Sequence, residues 1–232
     1  MSNRPQSEKA GFSDKGLILR TYKVRESDLL CTILTASRGK LTAVARGASR
    51  SRRRFAGGLQ IFDHGVFSLT PPQHRFPDRR DSQEVFTLQD ISQRESWPGL
   101  ATNLDRFQTA ALVLESADTL THEGDPSGTA LFEPLVGTLR ELNHASSREY
   151  CANLASLFLL LCLRESGLDP LAAPNCPAKL RDWFDLAAVP TPIQQDSSPS
   201  ELANYALVHL SGYLESSVGK QLKSLSRGYK TR

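Results

Sequence analysis

At Trp97-Pro98-Gly99 the hydrophobic period of this chain changes from two residues to 3.6, and that change limits what it can fold into. Before it, "GLILRTYKV", "LLCTILTA" and "LTAVAR" are short runs rich in Leu, Ile, Val, Thr and Tyr, broken by polar residues at Arg25–Asp28 and Ser37–Lys40. Ser37-Arg38-Gly39-Lys40 reads as a tight turn, with Gly39 free to take positive φ. "LQIFDHGVFSLT" reads as a longer fourth strand, and "EVFTLQDI" as a fifth after a loop, Pro71–Arg80, rich in proline and charge. Five short strands without a helical period imply a small antiparallel barrel over residues 15–95. The polar residues 1–14 read as a disordered leader.

After the change the chain reads as helical over residues 99–232. Leu100, Leu104, Phe107, Ala111, Leu114 and Ala117 line one helical face that stops near Glu123-Gly124-Asp125-Pro126. Ala130–Leu142 gives a second helix with Pro134 early in it, and Glu149–Arg164 a third, apolar nearly all round and therefore central. Residues 167–199 are proline-rich and irregular, with one short helical stretch, Ala178–Leu186. Ser200–Glu215 and Lys220–Arg227 close the chain as helices. The fold class expected is therefore α+β, a small β-barrel followed by an all-α domain.

Charge is divided as sharply as structure. Residues 1–80 hold 16 Lys and Arg against 6 Asp and Glu, a balance of +10, whereas residues 81–232 hold 12 against 19, a balance of −7. A positive field on one half only makes a polyanion the natural partner of that half. Its centre is "ARGASRSRRRFAGGLQ", Ala45–Gln60, with five arginines and no acidic residue; indeed no carboxylate occurs between Lys40 and Asp63. The stretch lies between two strands, so both ends are anchored, and its Ser, Gly and Ala spacers let the backbone approach an extended polymer. Guanidinium groups match phosphate in a bidentate fork. Arg46, Arg50, Arg52, Arg53 and Arg54 are the first candidates for nucleic-acid contacts. Arg20, Lys23, Arg25, Arg38 and Lys40, on neighbouring strands and turns, are expected to extend the patch. Tyr22 and Phe55 are candidate stacking surfaces for bases. If all five loop arginines met phosphates of a single strand, the log–log salt slope would be roughly −3 to −4.

The N-terminus has no apolar core of a secretory signal, and the longest apolar run, Leu157–Leu163, is far short of a membrane span. The four cysteines, Cys31, Cys151, Cys162 and Cys176, form no CxxC pair and read as reduced thiols in a cytoplasm. No P-loop, GxSxG or HExxH occurs. Pro77-Asp78 with Glu84-Val85-Phe86 is similar to a nuclease core, but Phe86 stands where a lysine is required, so no catalysis is expected.

The string "YKVRESDLL…LTASRGKLTAVARGASRSRRRFAGGLQIF" resembles the N-terminal domain of the RecO family of bacterial recombination-mediator and DNA repair proteins. Glu26-Ser27-Asp28, Gly39-Lys40-Leu41, Ala45-Arg46-Gly47-Ala48 and Gly58-Leu59-Gln60-Ile61-Phe62 match that family's pattern in order and spacing. The likeness covers residues 15–92 and extends more loosely to "LSGYLESSVGKQLKSLS". It implies a five-stranded OB-fold followed by a helical domain, without enzymatic activity. The implied activity is binding of single- and double-stranded DNA, annealing of complementary strands, and, with a RecR-like partner, loading of RecA on strands covered by single-strand binding protein. It also implies a receptor for the acidic tail of single-strand binding protein, with Arg140, Arg148, Lys179 and Arg181 as candidate cations, and a location on the bacterial nucleoid.

The chain departs from the family in its cysteines. Many members carry a four-cysteine zinc site in the helical domain, whereas Cys176 here stands alone and no histidine lies at ligand spacing, so neither metal nor cofactor is expected. An OB-fold RNA-binding or ribosome-associated factor is the alternative reading, since phosphate contacts dominate both.

Overall fold

The computed structural model describes residues 10–51, 53–55, 57–72, 84–187 and 200–224. These divide into two compact units, the barrel with residues 121–132, and the helices of residues 97–120 and 133–224.

The barrel is built from β1 (Phe12–Lys23), β2 (Leu29–Thr35), β3 (Gly39–Ala45), β4 (His64–Thr70) and β5 (Val85–Glu95). It closes in the order β1-β2-β3-β5-β4, which is an OB-fold. Four of the five pairings are antiparallel, but β3 meets β5 in parallel through Thr42–Val85, Ala43–Phe86 and Val44–Thr87, so the barrel is not wholly antiparallel. Alternate residues of these strands, among them Ile18, Cys31, Ile33, Leu41, Ala43, Phe67, Leu69 and Leu88, fill the interior.

Three expectations are corrected here. First, Phe12–Asp14 are not part of a leader: Phe12 pairs with Leu69 and Asp14 with Phe67. Residues 1–9 of the expected leader lie outside the described residues. Second, the fourth strand begins at His64 rather than Leu59. The Asp63 carboxylate accepts a 2.8 Å hydrogen bond from the Gln60 N–H, closing a turn where the apolar pattern alone suggested a strand. Third, residues 121–132, expected among the helices, belong to the barrel unit. There Lys40 and Glu123 form a parallel bridge, and Pro126–Leu131 make a 3-10 turn capped by Asp125.

The helical unit comprises α1 (Pro98–Thr102), α2 (Leu104–Leu120), α3 (from Phe132, in the barrel unit, to His144), α4 (Arg148–Glu165), α5 (Ala178–Ala187) and α6 (Ser200–Val218). The face expected to run unbroken from Leu100 is interrupted at Asn103, which is extended and whose Oδ1 caps α2 by accepting from the Arg106 N–H. Leu104 and Phe107 are exposed as a result, 69% and 41%, and Ala110, Val113, Leu114 and Ala117 are the buried face. Ser147 caps α4, which is buried on most sides as its composition implies. Trp183 of α5 is buried and donates from Nε1 to Asn153 Oδ1 at 2.9 Å. Lys220–Leu222 are not helical, and residues 225–232 of the expected last helix lie outside the described residues. No helix among the described residues is long and apolar enough to cross a membrane.

Candidate nucleic-acid interface

The arginine stretch leaves β3 at Arg46 and is held to the barrel from within and from outside. Ala48, Phe55 and Leu59 are all at least nine-tenths buried and belong to the barrel core. They divide the polar stretch into short arches whose cationic residues face out. Arg46, Arg50, Arg53 and Arg54 are exposed; Arg52 lies outside the described residues. Gly47 adopts φ +64°, a left-handed conformation natural to glycine, which turns the chain as it leaves the strand. The N–H groups of Arg50 and Ser51 both donate to the Gly47 carbonyl, at 3.1 and 3.0 Å.

From outside, the β1–β2 turn grips the loop. The Asp28 carboxylate accepts from the Gly47 N–H at 2.8 Å, the Ser27 carbonyl accepts from the Ser49 N–H at 3.1 Å, and Glu26 pairs with Arg50 at 2.9 Å. Arg94 of β5 holds the far end, donating to the Gly58 carbonyl at 2.9 Å with Asp63 3.6 Å away. The loop is therefore held to the barrel at both ends and by its buried residues. The roles of Asp28 and Arg94 were not read from the sequence. Glu26-Ser27-Asp28 stood out as a polar turn, but nothing in a linear string announces that its carboxylates reach residues some twenty positions on.

The expected cations divide between two places. Lys23 and Arg25 are exposed at the β1–β2 turn, beside the loop, and Arg20 is half-buried on β1, donating to the Tyr22 hydroxyl at 3.3 Å. Arg38 and Lys40 do not join this patch. In the β2–β3 register Leu29 opposes Ala45 at the loop end, whereas Thr35 opposes Gly39 at the other. Six residues at ~3.3 Å each separate these rungs by about 20 Å. Arg38 sits over the Phe12 ring at 3.9 Å, at that far end.

The two stacking candidates also part company. Tyr22 is 52% exposed, but Phe55 is 1% exposed and is a core anchor, not a platform. Its position inside an arginine run suggested a surface; its volume in the barrel core decided otherwise.

The Arg50–Glu26 pair leaves the loop strongly cationic, because both side chains are largely exposed and such pairs exchange readily with solvent ions. Arg54 is tied more closely, donating to the Arg46 carbonyl at 2.7 Å with its guanidinium 5.2 Å from the Phe55 ring centre. Arg53 makes no hydrogen bond or ion pair with the described residues. What the arrangement offers chemically is a set of exposed guanidinium groups on a loop held to the barrel at both ends, suited to phosphates.

In the helical unit the candidate cations lie on three helices, α3, α4 and α5. Arg140 is exposed on α3; Arg148 lies 4.0 Å from Asp105; Lys179 stands over the Tyr205 ring at 5.6 Å; Arg181 is exposed on α5. Among the described residues no group of three or more His, Cys, Asp or Glu is arranged to hold a metal ion. Cys176 is half-buried, with Sγ 3.8 Å from the Pro177 carbonyl.

Comparison with known proteins agrees with the barrel fold. Residues 10–75 match the family described as "Recombination protein O N terminal". A DNA repair protein RecO of Nocardioides sp. is 30% identical over 163 residues, 68% of this chain and 61% of the relative. The one from Anaeromyxobacter dehalogenans is 35% identical over 155 residues, 67% of this chain and 56% of the relative. That of Streptomyces coelicolor is 32% identical over 165 residues, 68% of this chain and 62% of the relative. The chain thus spans less than two thirds of these curated relatives' own lengths. With a closed barrel of this topology and a family match across most of it, residues 10–75 are the N-terminal domain of the RecO family, and along two thirds of its length the chain is similar to DNA repair proteins RecO.

Proposed function

We propose that the chain binds single- and double-stranded DNA through the arginine loop and anneals complementary strands, in DNA repair and recombination. The observation that carries this reading is the exposure of Arg46, Arg50, Arg53 and Arg54 on one loop whose apolar residues Ala48, Phe55 and Leu59 are buried. Two DNA strands repel through their phosphates; a surface that neutralises both backbones lowers that barrier and leaves base pairing to the strands themselves. Lys23 and Arg25 beside the loop enlarge the field, and Tyr22 offers a π-face for one base. No active site is needed for such a reaction, and we assign none.

The RecO N-terminal domain over residues 10–75 supports the wider role: acting with a RecR-like partner to load RecA on strands covered by single-strand binding protein. The tail of single-strand binding protein would dock on the helical unit, with Arg140, Arg148, Lys179 or Arg181 meeting its carboxylates. In a bacterial cell the protein would work in the cytoplasm, on the nucleoid.

The test is annealing of complementary fluorescent DNA strands at rising salt. The wild type accelerates annealing at low salt and loses the effect steeply as salt rises. Arg50→Ala with Arg53→Ala removes most of the acceleration at an unchanged melting temperature, whereas Arg38→Ala, at the other end of the barrel, leaves it. Equal losses at both ends would place the DNA elsewhere, and binding to structured RNA without DNA annealing would favour the RNA-binding alternative.

A further inference from the structure

We propose that residues 121–132 end the track of single-stranded DNA on this barrel: Glu123, hydrogen-bonded on the outer face of β3, confines a bound strand to the half of that face beside the arginine loop. The proposal rests on the DNA-binding reading above and adds to it a boundary and the residue that sets it.

The outer face follows from the register. Directly opposed residues in a ladder point to the same side, and Cys31 and Ala43 both lie in the core. Their neighbours along the strands therefore point outward, forming three rungs: Tyr22–Leu30–Val44 nearest the arginine loop, Arg20–Thr32–Thr42 in the middle, and Leu17–Leu34–Lys40 farthest away. On an OB-fold this surface of the second and third strands is one that takes oligonucleotides.

Here its two ends differ. Near the loop Tyr22 is 52% exposed, and Leu30 and Val44 are only half-buried. Farther down, Thr42 is 3% exposed and Leu34 is completely buried, although both point away from the core. The returning segment covers them. The Thr42 hydroxyl donates to Glu123 Oε1 at 2.6 Å, the Gly124 N–H donates to the Lys40 carbonyl at 3.3 Å, and Glu123 bridges Lys40 in parallel. A methyl group on Gly128 would lie 3.6 Å from Leu34 Cδ1. Gly39 is packed so closely that any Cβ would collide with the Asp125 carbonyl oxygen.

The cover is acidic as well as bulky. Glu123 lies directly on the sheet and Asp125 follows two residues later, whereas the open half is bordered by Arg20 and Arg46. A phosphate advancing from the arginine loop over Tyr22, Leu30 and Val44 meets a carboxylate at the next rung. What stays open is about one rung deep and three strands wide, about 10 Å between the outer strands at ~4.8 Å spacing. That predicts an occluded length near the bottom of the ~4–16 nucleotides such barrels cover.

The experiment measures affinity for fluorescein-labelled oligo(dT) of increasing length, with the full chain, at several salt concentrations. The wild type gains affinity with length and then levels off at a short length. Glu123→Lys moves the plateau several nucleotides longer and steepens the salt slope by about 0.7, one further phosphate contact on a single strand. Glu123→Gln keeps an acceptor for the Thr42 hydroxyl and serves where the lysine variant does not fold. It is expected to bind the longer oligonucleotides about threefold tighter at low salt, as a like-charge contact is removed. Glu201→Lys, on exposed α6 surface, makes the same change in net charge and is expected to leave plateau and slope as in the wild type. The proposal is overturned if plateau and slope are the same in the wild type and both Glu123 variants, or if Glu201→Lys reproduces the effect of Glu123→Lys. A wild type that binds no oligonucleotide of any length removes the DNA-binding reading along with it.

Discussion

The carboxylate of Asp28, in the β1–β2 turn, accepts a 2.8 Å hydrogen bond from the backbone N–H of Gly47, at the foot of the arginine loop. An acid beneath a cationic loop looks like partial neutralisation, but its partner is a peptide N–H and its effect is geometric. It fixes where the chain turns as it leaves β3, and so where Arg46 and Arg50 project. Asp28→Ala is expected to cost about 1–3 kcal/mol, since a half-buried N–H loses a charged acceptor. That corresponds to a fall in melting temperature of roughly 3–10 °C for a chain of this size. Asp28→Asn keeps an acceptor oxygen and is expected to lose less. Amide hydrogen exchange reads the bond directly: protection at Gly47 that survives in Asp28→Ala would show that the bond does not hold the loop.

Phe55 and Tyr22 have opposite expected behaviour. Phe55 is buried in the barrel core, and its truncation to alanine removes a large side chain from a closed interior, at a cost of about 3–5 kcal/mol. Any loss of DNA binding in Phe55→Ala therefore follows from an unmoored loop. Tyr22 is exposed, and Tyr22→Ala is expected to leave the melting temperature within about 2 °C of the wild type, as surface changes usually do. If a base stacks on it, single-strand affinity falls by about 1–3 kcal/mol, roughly five- to 150-fold. Equal affinities in Tyr22→Ala and wild type at low salt would leave the phosphates as the whole of the interaction.

The contrast between these residues shows what a linear string carries. Alternation of apolar residues revealed the strands because burial on one face has a period of two, and Gly39 revealed its turn because positive φ favours glycine. Local chemistry of that kind is written in neighbouring residues. Long-range chemistry is not. Phe55 is an anchor because the barrel interior has room for a phenyl ring at that point, which its arginine neighbours do not reveal. Arg38 and Lys40 looked like members of the patch because they are close in sequence; a seven-residue strand carries them to the opposite end of the barrel. Least legible was the return of residues 121–132 to the barrel, since "HEGDPSG" reads only as a helix stop. Its hydrogen bonds to β3 cross some eighty residues of chain, from Thr42 to Glu123.

The cysteines make a simpler forecast. Cys31, Cys151 and Cys162 are buried, and burial pushes the Cys31 thiol up to about 12 and the Cys151 thiol to about 11, with Cys162 raised as well. Only the thiolate attacks a disulfide reagent, and at pH 8 a thiol of pKa 11 is ionised in about one molecule in a thousand. Cys176 is partly exposed. The native protein is expected to react rapidly at Cys176 alone, the other three thiols following at the rate of unfolding. Two or more fast thiols in the native protein would contradict the packing of α4 or of the barrel.

Acid is expected to loosen the C-terminal segment before it unfolds the chain, and the residue responsible is Glu115 of α2. Burial pushes its carboxyl up, but this is outweighed by the N–H and hydroxyl of Ser224, the N–H of Lys223 and the charge of Lys220, which together hold it below its ordinary value of 4.5. The geometry agrees: Oε1 accepts from the Lys223 N–H at 3.0 Å and Oε2 from the Ser224 N–H at 2.8 Å, while Leu222 between them and Lys220 is buried. A carboxyl whose folded value is depressed contributes stability above its unfolded value and loses it as pH falls through the folded one. The clasp is therefore complete above about pH 4.5 and opens below it, as the protonated carboxyl becomes a weaker acceptor. Hydrogen exchange at Lys223 and Ser224 is expected to be slow at pH 7, after correction for intrinsic rates, and to lose protection as the pH falls below about 4.5 while α4 stays protected. Glu115→Gln removes the titrating group, so its segment should be less protected at pH 7 and show no acid transition. A wild-type segment that opened together with α4 at every pH would mean that the clasp has no separate existence from the global fold.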